Sequence, residues 1–446
     1  MNKKIAIIGL TLCLLLSRHS WAQSAAAELT PQQQTEVINA LKSALNTHYV
    51  YPKKANMVIE WLDSPENKQP LLAITDKLEF AKTLTRQILA LLNDKHFRVI
   101  VPGLRNRQQY EDVFAAHLNA LTRFRKGGFQ DIRILDGNIG YVKIDGFRGE
   151  EIHQVDGLMT YLRTVDAIIF DLSDNGGGGR PVNYLSSYFL PTDILIGKTY
   201  HRHSDKWTEL RAEPVKGDKR LNVPLFIITS EFTFSAAEAF AYNLQARDRA
   251  VIVGKITGGG AHPTSFFPLN NGVAALIPNR RSYNPVTESN WEAIGVMPDI
   301  KTEQDDAVET AHELAVRAAT RYREAGFEQL KTLLENEHYN EALQQEVNTL
   351  VAEILHRKHA EPFMIPGFAR DYQQNGKLLA AKLLLTAHVA IDDRSADAHY
   401  LLAELLVKIK EVALAKIHVE MAIELANEQG VDAQLFEQFN ANLKAS

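Results

Sequence analysis

The chain has 446 residues, 45% of them hydrophobic, with 49 basic against 54 acidic side chains and a formal charge of −5. A mildly acidic chain without a basic block is a poor match for nucleic acid, and nothing in it favours a membrane surface. Its one cysteine, Cys13, lies near the amino terminus, so the remainder can have no disulfide, no cysteine nucleophile and no Cys-ligated metal.

In chain order, Lys3 and Lys4 precede an apolar run from Ile5 to Leu16 and then Ser20-Trp21-Ala22. That is the charged, apolar and small-residue order of a secretory signal peptide, expected over residues 1–22. Its removal takes Lys3, Lys4 and Arg18 and leaves 46 − 54 = −8. Leu12 precedes Cys13 where a lipid-attachment signal would carry a small residue, which argues against anchoring. No later stretch reaches the ~18 uninterrupted apolar residues of a membrane span. The protein is expected to be exported, periplasmic or secreted, without stable membrane insertion.

Residues 29–95 read as a helical amino-terminal domain. Apolar side chains recur at helical spacing, as in Val37, Leu41, Leu45 and again Phe80, Leu84, Ile88, Leu91, with a turn at Tyr51-Pro52. After Asn93-Asp94-Lys95-His96 a strand is expected at Phe97–Val101, which places His96 at a helix-to-strand junction. Residues 96–305 then alternate strand and helix patterns. Strands are expected at Gly140–Ile144, Ala167–Leu172, Leu225–Thr229 and Ala250–Val253. Helices are expected at Glu150–Arg163, Val182–Phe189 and after Ser235, an α/β arrangement of a sheet covered by helices. Asn270-Asn271-Gly272 marks a hairpin between Phe266-Phe267 and Val273–Ile277. Residues 306–446 are helical. Leu402, Ala403, Leu406, Ala415, Val419 and Ala422 follow a degenerate tetratricopeptide-like pattern over about 376–430, and a plain amphipathic bundle is an equal reading.

Three stretches carry the chemistry. In the first, Pro224–Ile228 is a buried strand that turns through Ser and Thr residues into a helix at Ser235, where a hydroxyl can be a nucleophile. Ser235-Ala236-Ala237-Glu238 is also a capping box, the blander account. The strand-turn-helix setting and the free N–H groups of a first helical turn would stabilise negative charge there, with the N–H of Ala236 as the natural oxyanion donor. In the second, Asp171–Asn175 followed by Gly176–Gly179 offers another donor, Gly176 or Gly177, on a backbone free to adopt positive φ. A phosphate loop would need Gly-Lys-Ser/Thr where Arg180-Pro181 stands. The third is Trp291–Asp299. Regular His/Asp/Glu spacing for a metal is absent, and no cofactor or metal is implied.

As a set these motifs resemble the tail-specific, or carboxy-terminal processing, serine peptidase family, and within it the branch of interphotoreceptor retinoid-binding protein and the tricorn protease core. The matching residues are Gly140-Tyr141-Val142, Asp171-Leu172 with Asn175-Gly176-Gly177, Ser235–Glu238, Gly254 with Thr257–Pro263, and Gly295-Val296 with Pro298-Asp299, in family order from about Leu29 to Ile300. The resemblance implies a ClpP/crotonase-like core and serine-type peptide hydrolysis on a peptide or protein substrate. Where the bacterial processing peptidases carry a catalytic Lys, this chain has Gly260. The tricorn-like pattern implies instead Ser235 as nucleophile, His96 as base and Glu292 orienting it, with His262 as a substrate contact or loop residue. The residue before the His is Lys95 rather than the tricorn-like Ser. The interval from residue 97 to 139, 43 positions, is too short for the PDZ domain that many relatives insert.

A His base predicts activity that rises with pH around its usual pKa near 6.5. The rival function is an idle binding module for apolar ligands on the same scaffold, using Phe232, Phe234, Phe266 and Phe267. A third reading makes the carboxy-terminal helices a docking surface for a protein partner. Oligomeric state is left open.

Overall fold

The computed structural model describes residues 28–102, 128–148 and 152–445. The expected signal peptide, Cys13, and residues 103–127 of the interval in which a PDZ domain would stand lie outside them. The chain divides into two compact units. One comprises residues 1–134, 140–160 and 168–315; the other comprises 135–139, 161–167 and 316–446.

In the first unit, four helices precede the sheets: α1 (Pro31–His48), α2 (Pro52–Asp63), α3 (Pro65–Leu72) and α4 (Lys77–Leu92). Thr30 and Gln33 form a reciprocal capping box at α1, and Asp76 caps α4 through the N–H of Glu79. Val37, Leu41 and Leu45 of α1 and Phe80, Leu84 and Ile88 of α4 are fully buried, each contributing roughly 1.5–3 kcal/mol of transfer free energy. They join one apolar cluster with Val99 of β1 (Arg98–Ile100) and Ala275 and Ile277 of the later hairpin. Asn93 ends α4 in the left-handed region at φ 49°, which turns the chain toward Asp94 and His96.

The central sheet has six strands. In chain order they are β2 (Phe129–Leu135), β3 (Ile139–Ile144), β4 (Ala167–Asp171), β7 (Leu225–Thr229), β8 (Val251–Gly254) and β12 (Ile300–Lys301), with β5 (Leu195–His201) and β6 (Lys206–Arg211) intervening elsewhere. Spatially the order is β12-β8-β7-β4-β3-β2, with β12, β8, β7 and β4 parallel to one another. Every residue of β4 and β7 is buried, as expected of parallel strands covered on both faces. Helices α5 (His153–Tyr161), α6 (Pro181–Ser187) and α7 (Ala236–Gln245) occupy the connections. Of the helix expected over 150–163, residues 150 and 151 lie outside the description, and the helix ends two residues early at Tyr161.

Two smaller sheets complete this unit. β9 (Thr264–Pro268) and β10 (Ala274–Pro278) form the hairpin signalled by Asn270-Asn271-Gly272, and β1 pairs with β10. β11 (Arg280–Tyr283) pairs with β5, and β5 with β6. The sequence reading has no counterpart for this second sheet: β6 is almost wholly exposed, so it carries no apolar alternation to detect.

The second unit contains most of α8 (Ala307–Leu334), then α9 (Glu341–His356), α10 (Ile365–Gln374), α11 (Leu378–Ile391), α12 (Ala396–Lys408), α13 (Val412–Gln429) and α14 (Gln434–Ala445), around one apolar cluster. Within it Asp166, 2% exposed, is bonded by Arg323 Nη1 and His359 Nε2, both at 2.6 Å, and by Asn138 Nδ2 at 3.0 Å. Among the described residues no helix is long and apolar enough to cross a membrane.

Candidate active site

Because β4 and β7 are adjacent and parallel, with Asp171 beside Ile228, their carboxyl ends deliver two loops to one edge of the sheet. The loops are tied together by side chains. Ser230 Oγ donates to the Ser173 carbonyl at 2.5 Å, Thr233 Oγ1 to Leu172 at 2.8 Å, and the N–H of Phe234 to the Asn175 carbonyl at 2.9 Å. Asp171, buried, accepts from Tyr141 Oη and from the N–H of Ser173, so its role is internal to the loop.

Ser235 stands at the turn into α7 with φ 57° and ψ −115°, a conformation a residue with a Cβ adopts only under constraint. The constraint is visible in Glu238. Its fully buried carboxylate accepts from the N–H of Ser235 (2.7 Å), Thr257 Oγ1 (2.5 Å), and the N–H groups of Gly259 (2.6 Å) and Gly260 (2.8 Å). Burial pushes the Glu238 pKa up in spite of these donors. The same side chain therefore pins the helix start and the 257–260 loop.

His96 Nε2 lies 3.1 Å from Ser235 Oγ, and the imidazole packs on the Phe234 ring with centroids 4.6 Å apart. At Gly260 an added Cβ would fall 2.6 Å from His96 Cε1 and 2.2 Å from Phe234 Cζ. A side chain at 260 and the imidazole at this place exclude one another, which gives the missing lysine a steric counterpart.

Glu292 makes no hydrogen bond to the imidazole. Its Oε1 accepts from the N–H of Lys95 at 2.9 Å and its Oε2 from that of Ala261 at 2.6 Å, so it staples the His96 junction to the glycine loop. Asp94, which the sequence reading passed over within its own quoted junction, accepts from the N–H of His96 (3.3 Å), Tyr49 Oη (3.1 Å) and His262 Nδ1 (2.8 Å). His96 Nδ1 is buried and without a hydrogen-bond partner. Ligand atoms of Asp94, His96 and Glu292 nevertheless lie within 4.8 Å of one another. The three could also hold a metal ion, a grouping that no regular spacing in the sequence announces. Burial first, then Asp94, raises the Glu292 pKa; burial lowers that of His96 to about 4.

Two expected roles need correction. His262 is 3% exposed, with Nδ1 on Asp94 and Nε2 on Tyr51 Oη (3.2 Å), so it sits behind the two carboxylates and not in the cleft. The N–H of Gly177 is already given to Asn175 Oδ1 at 2.9 Å, while Gly176 and Gly178 are both exposed. Gly177 is needed for space, since a Cβ at its φ of 105° would lie 2.8 Å from Ser235 Cβ. Gly178 and Ala236, together with His96 and Ser235, line a cleft of ≈330 Å³. None of Phe232, Phe234, Phe266 and Phe267 is among its walls.

Residues 138–302 match the family model for peptidase family S41. The match covers well under half of the chain. It holds Ser235, both loops and Glu292, whereas Asp94 and His96 come from outside the matched span. The chain is 26% identical over 170 residues to a carboxyl-terminal-processing protease of Synechocystis sp., covering 37% of this chain and 38% of that protein. It is 25% identical over 165 residues to carboxyl-terminal-processing peptidase 3, chloroplastic, of Arabidopsis thaliana, covering 36% of this chain and 31% of that protein. The chain thus spans well under half the length of these curated relatives. A solved photosystem II D1 C-terminal processing protease aligns at TM-score 0.41 and 14% identity, over 64% of this chain and 96% of that one.

Proposed function

We propose that the chain is an exported serine-type peptidase that hydrolyses peptide bonds with Ser235 as nucleophile and His96 as general base. The 3.1 Å approach of His96 Nε2 to Ser235 Oγ carries this reading. With Nε2 accepting the serine proton, the ring carries its other proton on Nδ1. Glu292 and Asp94, both within 4.8 Å, then stabilise the imidazolium as it forms. Ser235 Oγ attacks the carbonyl, the proton passes to His96 and on to the leaving amine, and water repeats the sequence to free the acid.

For the oxyanion, the N–H of Ala236 lies in a first helical turn, where no carbonyl four residues back accepts it. Gly178 supplies the second donor. Its neighbours Gly177 and Gly179 bond Phe147 through a carbonyl and an N–H, so strand alternation turns its own N–H away from Phe147. The helices after residue 316 are assigned to partner docking, with a tetratricopeptide-like pair in α12 and α13, whose Leu402, Leu406, Val419 and Ala422 are buried. Without a PDZ-sized insertion, substrate choice falls to the cleft.

The test is a fluorophosphonate probe applied to wild type, Ser235→Ala and His96→Gln, with the adduct located by mass spectrometry. Adduct on Ser235, absent from the first variant and slowed at least about a hundredfold in the second, is expected. No adduct in wild type would sink the reading.

A further inference from the structure

The cleft beside Ser235 runs along one face of α7. Ser235, Ala239 and Asn243 are spaced four apart, so they stack over two turns, about 12 Å from nucleophile to far end. Ala239 leaves the space between them open, and all three line the cleft.

The amide at the far end has a fixed orientation. Asn284 Oδ1 accepts the N–H groups of Val286 (2.8 Å) and Thr287 (3.2 Å), so the Asn284 nitrogen must be the atom that donates to Asn243 Oδ1, at 2.8 Å. Asn243 Oδ1 is thereby used, and its Nδ2 is left as a donor. Two cations share the lining. Arg280 gives one Nη2 bond to the Thr264 carbonyl at 2.8 Å, and among the described residues its guanidinium has no carboxylate partner. Lys198 is held by Glu209 at 3.3 Å, outside the lining. Among the described residues no Asp or Glu side chain lines the cleft.

We infer that this cleft selects a substrate carboxylate, presented as an acidic side chain next to the scissile bond, with Asn243 and Arg280 as its specificity-determining residues. The inference rests on the peptidase reading above. The substrate's terminal carboxylate is the other source of the same chemistry.

The experiment uses the full chain and a fluorogenic peptide series with Glu, Gln, Asp, Lys or Ala at the residue that fills the cleft, each as free acid and as carboxamide. Glu is expected to exceed its isostere Gln by about tenfold or more in kcat/KM, as a charge-assisted bond to arginine would give. In Arg280→Gln the Glu/Gln ratio should collapse toward one. Because that ratio is taken within one preparation, it does not depend on how much of the variant folds. Preference that follows the free acid over the amide, and not the side chain, would place the carboxylate at the chain terminus. Equal turnover of Glu and Gln, and of acid and amide, would overturn the inference. Fluorophosphonate labelling of the same wild-type preparation separates that result from failure of the peptidase reading, which would leave Ser235 unlabelled.

Discussion

At His96 burial and neighbouring charge oppose each other. Loss of hydration lowers the imidazole pKa, Asp94 raises it, and burial wins, leaving it at about 4. The neutral ring is the form that takes a proton from Ser235. The rate of probe labelling should therefore rise through about pH 4 and stay level from pH 6 to 8, displaced from the value near 6.5 expected of a hydrated histidine. A midpoint at 6.5 would mean that neighbouring carboxylate charge offsets the burial of His96. The sign for stability follows from the same shift. With the folded pKa below the unfolded one, protons bind the unfolded chain more readily, so this group's contribution is lost as pH falls from about 6.5 toward 4. His262 illustrates what composition withholds: of 15 histidines, its place behind Asp94 and Glu292 depends on contacts 168 and 30 residues away in sequence.

Among the elements, the start of α7 has the most exacting chemistry. A capping box needs only Ser235 and Glu238, and both are legible in SAAE. The structure adds three further donors to Glu238, from Thr257, Gly259 and Gly260, which no local pattern encodes. Glu238→Gln keeps the shape but turns one acceptor oxygen into an N–H₂ facing other donors, at a cost of roughly 1–3 kcal/mol. The expected outcome is a lower midpoint in urea unfolding together with at least tenfold slower labelling, since the loop that carries Gly260 against His96 loses its anchor. Unchanged labelling would show that the loop is held by other contacts. The hairpin β9–β10 and the buried strands β4 and β7 were readable because turn chemistry and apolar runs are local signals. The exposed strand β6 was not, because its partner and not its own sequence makes it a strand.

For the whole molecule, the division into two units does not follow the chain. Residues 135–139 and 161–167 cluster with the carboxy-terminal helices, and Asp166 is joined there to Arg323 and His359. Burial raises the Asp166 pKa, but bonds from His359, Asn138 and Arg323 outweigh it and the net shift is downward. A truncation near residue 303 would leave this carboxylate without Arg323 and His359, so it is not a neutral test of what the helices do. Asp166→Ala is expected to destabilise by about 1–3 kcal/mol, because it leaves the buried His359 Nε2 and the partly exposed Arg323 guanidinium without their acceptor. Calorimetry would read this as a lowered transition. A shift within error would mean that the pair is solvated in solution.

The sequence by itself determined the alternation of strand and helix, the hairpin, the helical ends of the described chain and the three motif stretches, all of which rest on period, turn residues and glycine within about ten positions. It also carried the family resemblance, through motif order. Only the tertiary structure decided which groups meet. Asp94 joins His96 and Glu292, His262 turns away from the cleft, the N–H of Gly177 is spent on Asn175, and Asn284 fixes the amide of Asn243. Each of these is a hydrogen bond with one partner or a choice between two faces. Such choices depend on what the distant chain brings to within 3 Å, and no local periodicity records that.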